Sequence, residues 1–427
     1  MLTWITPTYP APADSAATAK NFSRRVVFNA GSVLGCRATR WIGMIGIMTS
    51  HSADTTKSPT APANPVSAPA NPANPANPAN PAKQVNATGN PANRVKVVAD
   101  VDTGIDDALA LTYLAHLHAS GRIELGVTTS AGNCGAAQAA ANSADVLAAC
   151  GVDVPVVAGA AQPVNVELVT TPETHGPTGL GHYITRADPA DHSPNVEEAV
   201  ASWEGADYLL IAGPATNLAW ALEHCPDMLD GTEICLMTGA FNYPGNTTPL
   251  AEWNAWVDPH ALGYSLERLA QRSQRRLAQR SQRHQPQGSA GLPTLCPLNV
   301  TETVLLYPDR LERWLEGSEG EEVASTKKQL KHLLAEALRF YFEFHQTVGV
   351  GYCAQIHDLA AAMVMLGRVP FSVRAGAVEV EAESALTRGA TLVDWDGGYW
   401  QKPANAKILQ GLDPLDVFAE FERVVFG

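Results

Sequence analysis

Residues 95–110 read Val-Lys-Val-Val-Ala-Asp-Val-Asp-Thr-Gly-Ile-Asp-Asp-Ala-Leu-Ala, and this stretch constrains the fold more than any other. The apolar run Val95–Ala99 suits a short buried strand. Behind it Leu109, Leu111, Leu114 and Leu117 recur at helical spacing. Asp106 and Asp107 open that helix, where acids complement the N-terminal dipole. The turn between the two elements holds Asp100, Asp102, Asp106 and Asp107, four carboxylates within eight residues. Charges so close repel one another unless a cation or hydrogen-bond donors neutralise them. Carboxylate oxygens are hard ligands that favour Ca²⁺ or Mg²⁺. The expectation is a divalent-metal site at a strand-to-helix turn.

Downstream segments repeat the alternation. Ile123–Ser130 reads as a second strand, leading through Ala131-Gly132-Asn133 into an alanine-rich helix that ends near Cys150. Val154–Ala158, Tyr208–Ala212, Ile234–Met237 and Val373–Val380 read as further strands. Helices are expected from Gly213-Pro214-Ala215-Thr216-Asn217 to about Glu223, over 325–345, from Asp358 onward and over 415–425. His175–Gly181 is a glycine-rich loop. Alternating strands and helices imply an α/β fold, a doubly wound, mostly parallel sheet flanked by helices.

Residues 1–94 read as a disordered extension outside that fold. Asn-Pro-Ala repeats in tandem from Asn71 to Ala82, and proline at this density supports neither helix nor sheet ladder. Ser23–Phe28 loosely resembles a twin-arginine export signal, and Val33–Cys36 a lipoprotein cleavage site. The apolar segment between them is short and broken by Asn29, and an overlong gene start, with initiation at Met44 or Met48, accounts for the segment at least as well. The folded domain is expected over 95–427, with an arginine-rich insertion at about 267–293. There Leu-Ala-Gln-Arg-Ser-Gln-Arg occurs at 269–275 and again at 277–283. A solvated helical or disordered insertion is preferred to an anion-binding patch for so short a repeat.

A net charge of −14 argues against a nucleic-acid partner, which needs a basic face. No apolar run reaches the roughly 18 residues that a membrane span needs. The seven cysteines are scattered without a Cys-x-x-Cys pair, which reads as reduced thiols in a cytoplasmic protein.

Ligands of open α/β sheets sit beyond the carboxyl ends of strands. Asn133, Thr216, Asn217, Asn246, Glu252 and Asn254 all follow expected strands, and His357-Asp358 precedes a helix. These ordered motifs resemble the nucleoside hydrolases of the inosine–uridine-preferring type. The family opens on Asp-x-Asp-x-x-x-Asp-Asp, met here by Asp100, Asp102, Asp106 and Asp107. Its second block is matched by Gly245-Asn246-Thr247-Thr248-Pro249-Leu250-Ala251-Glu252-Trp253-Asn254. Gly213–Asn217, Pro297-Leu298-Asn299-Val300-Thr301 and His357-Asp358 also match. The resemblance covers 95–427.

It implies hydrolysis of the N-glycosidic bond of ribonucleosides to nucleobase and ribose. It further implies a Ca²⁺ held by Asp102, Asp107, Asp358 and the backbone carbonyl of Thr216. Asp102 would also be the base that deprotonates a metal-bound water. Asp106, Asn133, Asn246, Glu252 and Asn254 would bind ribose, with Asp100 in support. His357 would assist departure of the base, and His175 would lie beside it. The expected partner is a small ribonucleoside, neither nucleic acid nor membrane, and the expected assembly a homodimer or homotetramer. Phe340, Tyr341, Phe344 and His345 are expected mainly as core, with one or two reaching the pocket.

Two other readings compete. Val98–Thr103 also resembles the first motif of haloacid dehalogenase-like phosphatases, with Asp100 as nucleophile, Asp102 as acid/base and Mg²⁺ as cofactor; it leaves Asp106-Asp107 and the 245–254 block without a role. The other is a non-catalytic Ca²⁺-dependent nucleoside- or sugar-binding protein.

Overall fold

The computed structural model describes residues 94–282, 291–316 and 325–427, the side chains of 277–282 excepted. The expected extension, Arg94 apart, and the side chains of the second arginine-rich repeat lie outside the described residues.

The first half alternates as expected: β1 (Val95–Val101), α1 (Ile105–Ala119), β2 (Ile123–Thr129), α2 (Ala136–Ala149) and β3 (Val156–Ala158). After two short helices, α3 (Pro172–His175) and α4 (Val196–Ala201), come β4 (Tyr208–Ile211), α5 (Thr216–His224) and β5 (Glu233–Met237). Next are α6 (Trp253–Val257), α7 (Pro259–Gln282), β6 (Thr294–Cys296), α8 (Leu298–Thr301), β7 (Leu305–Leu306) and α9 (Pro308–Leu315). The chain closes with α10 (Ser325–Thr347), β8 (Ala354–Gln355), α11 (Asp358–Met365), β9 (Phe371–Val380), β10 (Thr391–Asp394), β11 (Ala406–Leu412) and α12 (Pro414–Val425).

Nine strands form one sheet in the order β10-β9-β11-β6-β5-β4-β1-β2-β3. From β11 to β3 every pairing is parallel, while β9 runs antiparallel to β11 and β10 antiparallel to β9. The chain leaves β1 toward β2 and β3 on one side, and returns through β4 and β5 on the other. The order therefore reverses between β1 and β4, the kind of switch point where a crevice opens at the carboxyl ends.

Both faces of the sheet are covered at its centre, and β1 and β4 there are apolar on both sides. Val97, Ala99 and Val101 of β1 join one core with α1, α2, α10, α11 and α12, while Val98 joins the other with α4, α5 and α7. Tyr208 and Leu210 of β4 face the first core, Leu209 and Ile211 the second. This period-two division is the pleat expressed as packing. α11 is buried along its whole length, which fits its unbroken apolar sequence after Asp358. The first arginine-rich repeat continues α7 as helix, and Arg272 and Arg276 each pair with Asp230 at 2.9 Å. No helix among the described residues is long and apolar enough to cross a membrane.

Candidate active site

β1 delivers Asp100 and Asp102 at its carboxyl end, and the first turn of α1 adds Asp106 and Asp107. All four are buried. Asp100 is held from behind: Thr128 Oγ1 and Asn217 Nδ2 donate to its Oδ1 at 2.7 and 2.8 Å. It does not line the cavity described below. Asp102 is gripped by one residue. Asn133 donates its backbone N–H to Oδ2 at 2.7 Å and its side-chain amide to Oδ1 at 3.1 Å. The same amide reaches Asp107 Oδ2 at 3.3 Å, which also accepts from Gly104 N–H at 2.8 Å. The approach is close enough to require glycine at two places. A Cβ at Gly132 would lie 2.0 Å from Asp102 Oδ2, and one at Gly104 2.6 Å from His175 Nδ1.

α11 brings Asp358 to this turn. Asp106, Asp107 and Asp358 offer carboxylate oxygens that all lie within 4.8 Å of one another. Asp106 and Asp358 share a hydrogen bond. Asp102 stands beside this trio, engaged with Asn133, rather than within it.

Burial pushes these acids up. Asp100 rises to about 6, its bonds from Thr128 and Asn217 opposing the rise. Asp107 rises to about 7 through burial and then the charge of Asp106. Asp102 and Asp358 lie well above the carboxylate range, through burial first and neighbouring acids second, and Asp106 is raised as well. Protons or a cation must therefore neutralise the cluster. Two buried carboxylate oxygens of this turn, Asp107 Oδ1 and Asp100 Oδ2, have no hydrogen-bond partner, and Asp107 is the one that belongs to the trio. Three clustered hard-oxygen donors and an orphaned buried oxygen fit a Ca²⁺ or Mg²⁺ ion.

Above the acids opens a cavity of about 620 Å³. Asp106, Asp358, Asn133, Glu252, Asn254, Asn246, His175 and His357 line it. Asp102, Asp107 and Thr216 do not. Glu252 caps α6, accepting from the N–H groups of Asn254, Ala255 and Gly239 and from Thr238 Oγ1 at 2.8–3.1 Å. Asn254 Nδ2 ties the ends of β4 and β5 together, donating to Ala212 O at 2.5 Å and Met237 O at 3.1 Å. Asn246 is exposed, its Oδ1 accepting from Trp253 N–H. Thr216 opens α5 and donates its hydroxyl to Asp258 Oδ2 at 2.7 Å.

The lining also holds aromatic and imidazole side chains. His175 Nδ1 accepts from Ile105 N–H at 3.1 Å, so the helix N-terminus holds it as acceptor. Burial, then His345 and His357, pulls its pKa to about 3. His357 Nδ1 lies 2.8 Å from Thr301 Oγ1, and burial, then His345, pulls it to about 3. Both rings are neutral here. Tyr341, Phe344 and His345 of α10 all reach the cavity, one more than the most expected. With Val348 they recur at i, i+3, i+4 and i+7, a helical stripe visible in the sequence. Tyr243 and Glu302, hydrogen-bonded at 2.8 Å, also line the wall. No local pattern marks that pair.

Residues 97–419 match the model of the inosine-uridine preferring nucleoside hydrolase family. The chain belongs to the nucleoside hydrolase family. An uncharacterized protein of Schizosaccharomyces pombe is 30% identical to this hydrolase over 335 residues, covering 75% of this chain and 95% of the relative. The pyrimidine-specific ribonucleoside hydrolase RihA of Shewanella oneidensis is 29% identical over 328 residues, covering 74% and 92%. Among solved structures, the plant nucleoside hydrolase PpNRh1 superposes with a TM-score of 0.62 at 24% identity, covering 78% of this chain and 100% of its own. That likeness shows a shared fold. The family membership makes this chain an N-glycosidase rather than a phosphatase or a non-catalytic binding protein.

Proposed function

We propose that the hydrolase cleaves ribonucleosides to free nucleobase and ribose with a bound Ca²⁺, serving nucleoside salvage. The observation that carries the reading is the buried trio Asp106, Asp107 and Asp358, of which Asp106 and Asp358 line a cavity that also takes in amide, imidazole and aromatic side chains. Asp102, Asp107, Asp358 and the Thr216 carbonyl would hold the ion, with Asp106 close enough to share it. When bound, Ca²⁺ cancels the repulsion among these acids and makes a water beside it more acidic.

The chain's own groups divide the remaining work. Asp102 is the base that takes the proton from the attacking water, steadied by two donors from Asn133. Asp106, Asn133, Asn246, Glu252 and Asn254 engage the ribose hydroxyls and orient the sugar. The carboxylates of Asp106 and Glu252 stabilise the positive charge that grows on ribose as the bond to the base stretches. A deoxyribose would leave buried polar groups unpaired and is therefore rejected. His357 gives a hydrogen bond to the departing base, His175 lies against it, and Tyr341 and Phe344 offer it apolar surface.

A cytoplasmic setting accords with six free cysteines among the described residues. The expected homodimer or homotetramer is part of the same proposal. The deciding experiment supplies the purified protein with ribonucleosides and their deoxy forms, with and without chelator. Free ribose should appear only from ribonucleosides, only with Ca²⁺ present and without need for phosphate. Ribose 1-phosphate formed in a phosphate-dependent reaction contradicts the hydrolysis.

A further inference from the structure

α8 ends at Thr301, which is fully buried and outside the cavity wall. Its Oγ1 lies 3.2 Å from Pro297 O and 2.8 Å from His357 Nδ1. The contact with Pro297 is the usual back-bond of a threonine to the carbonyl four residues earlier. The contact with His357 joins positions 56 residues apart. A hydroxyl has one hydrogen and can donate to only one of them. The shorter contact is with an imidazole nitrogen that, in a neutral ring, either donates or accepts.

We propose that Thr301 is a positioning residue, donating its hydroxyl hydrogen to His357 Nδ1 and so fixing the tautomer that carries hydrogen on Nε2. With Nδ1 bound behind the wall, Nε2 is the nitrogen left for the cavity. The backbone around the ring is already clamped. Ile356 N–H donates to Val304 O at 2.9 Å, and β7 pairs with β8 just before it. What the backbone cannot set is which nitrogen bears the hydrogen, because both neutral tautomers fit the same ring outline. Only one gives the cavity an N–H donor. This rests on the reading that His357 serves the departing base. As the C1′–N bond breaks, its electron pair goes to the base, and a donor at Nε2 stabilises the charge arriving there.

The test compares two substrates, inosine and p-nitrophenyl β-D-ribofuranoside. Nitrophenolate spreads its charge over oxygen and the nitro group and departs without a donor. Thr301→Val should lower the ratio of kcat for inosine to kcat for the nitrophenyl riboside about 10-fold or more, with KM little changed. Thr301→Ser, which keeps the hydroxyl, should restore it. A ratio within about 2-fold of wild type in Thr301→Val, or no recovery in Thr301→Ser, overturns the proposal. Should Thr301→Val fail to fold, ¹⁵N-histidine spectra of the Ca²⁺-loaded wild-type protein decide, with the His357 signals assigned by their loss in His357→Gln. A protonated Nε2 and a bare Nδ1 are expected, and the opposite tautomer refutes the assignment. Wild-type protein that cleaves neither substrate refutes the hydrolase reading itself. An unchanged ratio in an active enzyme refutes only the role of Thr301.

Discussion

Asp107 offers the most direct test of a cation at the acidic turn. Its Oδ2 accepts from Gly104 N–H and Asn133, while Oδ1 is buried without a partner. Burial, then the charge of Asp106, lifts its pKa from 3.8 to about 7. A carboxyl with a raised folded pKa holds its proton more tightly in the folded state. The stability this contributes is complete below pH 3.8, declines as the unfolded chain ionises, and is gone once the pH passes about 7. About three pH units at about 1.4 kcal/mol each amount to about 4 kcal/mol, of which about 3 kcal/mol is lost between roughly pH 5 and pH 8. Asp107→Asn keeps an oxygen for Gly104 N–H and removes the charge. In chelator, urea unfolding of the wild type should therefore lose about 3 kcal/mol more than that of Asp107→Asn over that pH range. Ca²⁺ added near pH 8 should restore the wild type and leave the variant unmoved. Parallel pH curves for the two proteins, or equal stabilisation of both by Ca²⁺, would show that Asp107 neither ionises at a cost nor faces a cation.

Three other predictions address the chemistry and the packing. Asp102→Ala should reduce ribonucleoside turnover about 10²–10⁴-fold, and a near-normal steady-state rate would remove Asp102 from the mechanism. His357→Ala should lower kcat for nucleosides about 100-fold with little change in KM; a rise in KM at constant kcat would assign the ring to binding instead. Gly104→Ala places a Cβ 2.6 Å from His175 Nδ1 and 2.7 Å from Asn133 Nδ2. The clash should cost about 1–3 kcal/mol in unfolding free energy, and wild-type stability would show that the turn has room to spare.

The sheet was legible where single short segments carry their own signal. Burial on both faces makes β4 an unbroken apolar run and β1, β2 and β5 largely apolar ones, and each was read to within two residues at either end. β10 and β11 were not: β10 is a four-residue antiparallel edge strand, and Lys407, Gln410 and Gly411 interrupt the apolar run of β11 between β9 and β6. β6, at three residues, is too short for a period. Among helices, α1 and α11 announce themselves by acids at their first turns, whereas α6 follows Glu252, a residue that reads equally well as a ligand.

The site divides along the same line, between what neighbours in sequence determine and what only packing determines. The acidic turn is local: strand, glycine and helix start follow one another, so its charge density was visible at once. Which carboxylates meet is not local. Asp106 and Asp107 are adjacent on a helix, and adjacent helical side chains diverge by about 100°. Sequence spacing cannot say which of them meets a third acid some 250 residues away. Asp358 reaches both because α11 packs along α1, a contact made by the apolar faces of both helices rather than by the acids. The same packing carries His357 to Thr301 and into the cavity that the α10 stripe also lines. The hydrophobic cores thus select the cation's neighbours, and the acids tolerate the arrangement only if something neutralises them. A fold that buries Asp102, Asp106, Asp107 and Asp358 together, with no lysine or arginine of the described residues among their hydrogen-bond partners, is one whose stability depends on a proton or a metal.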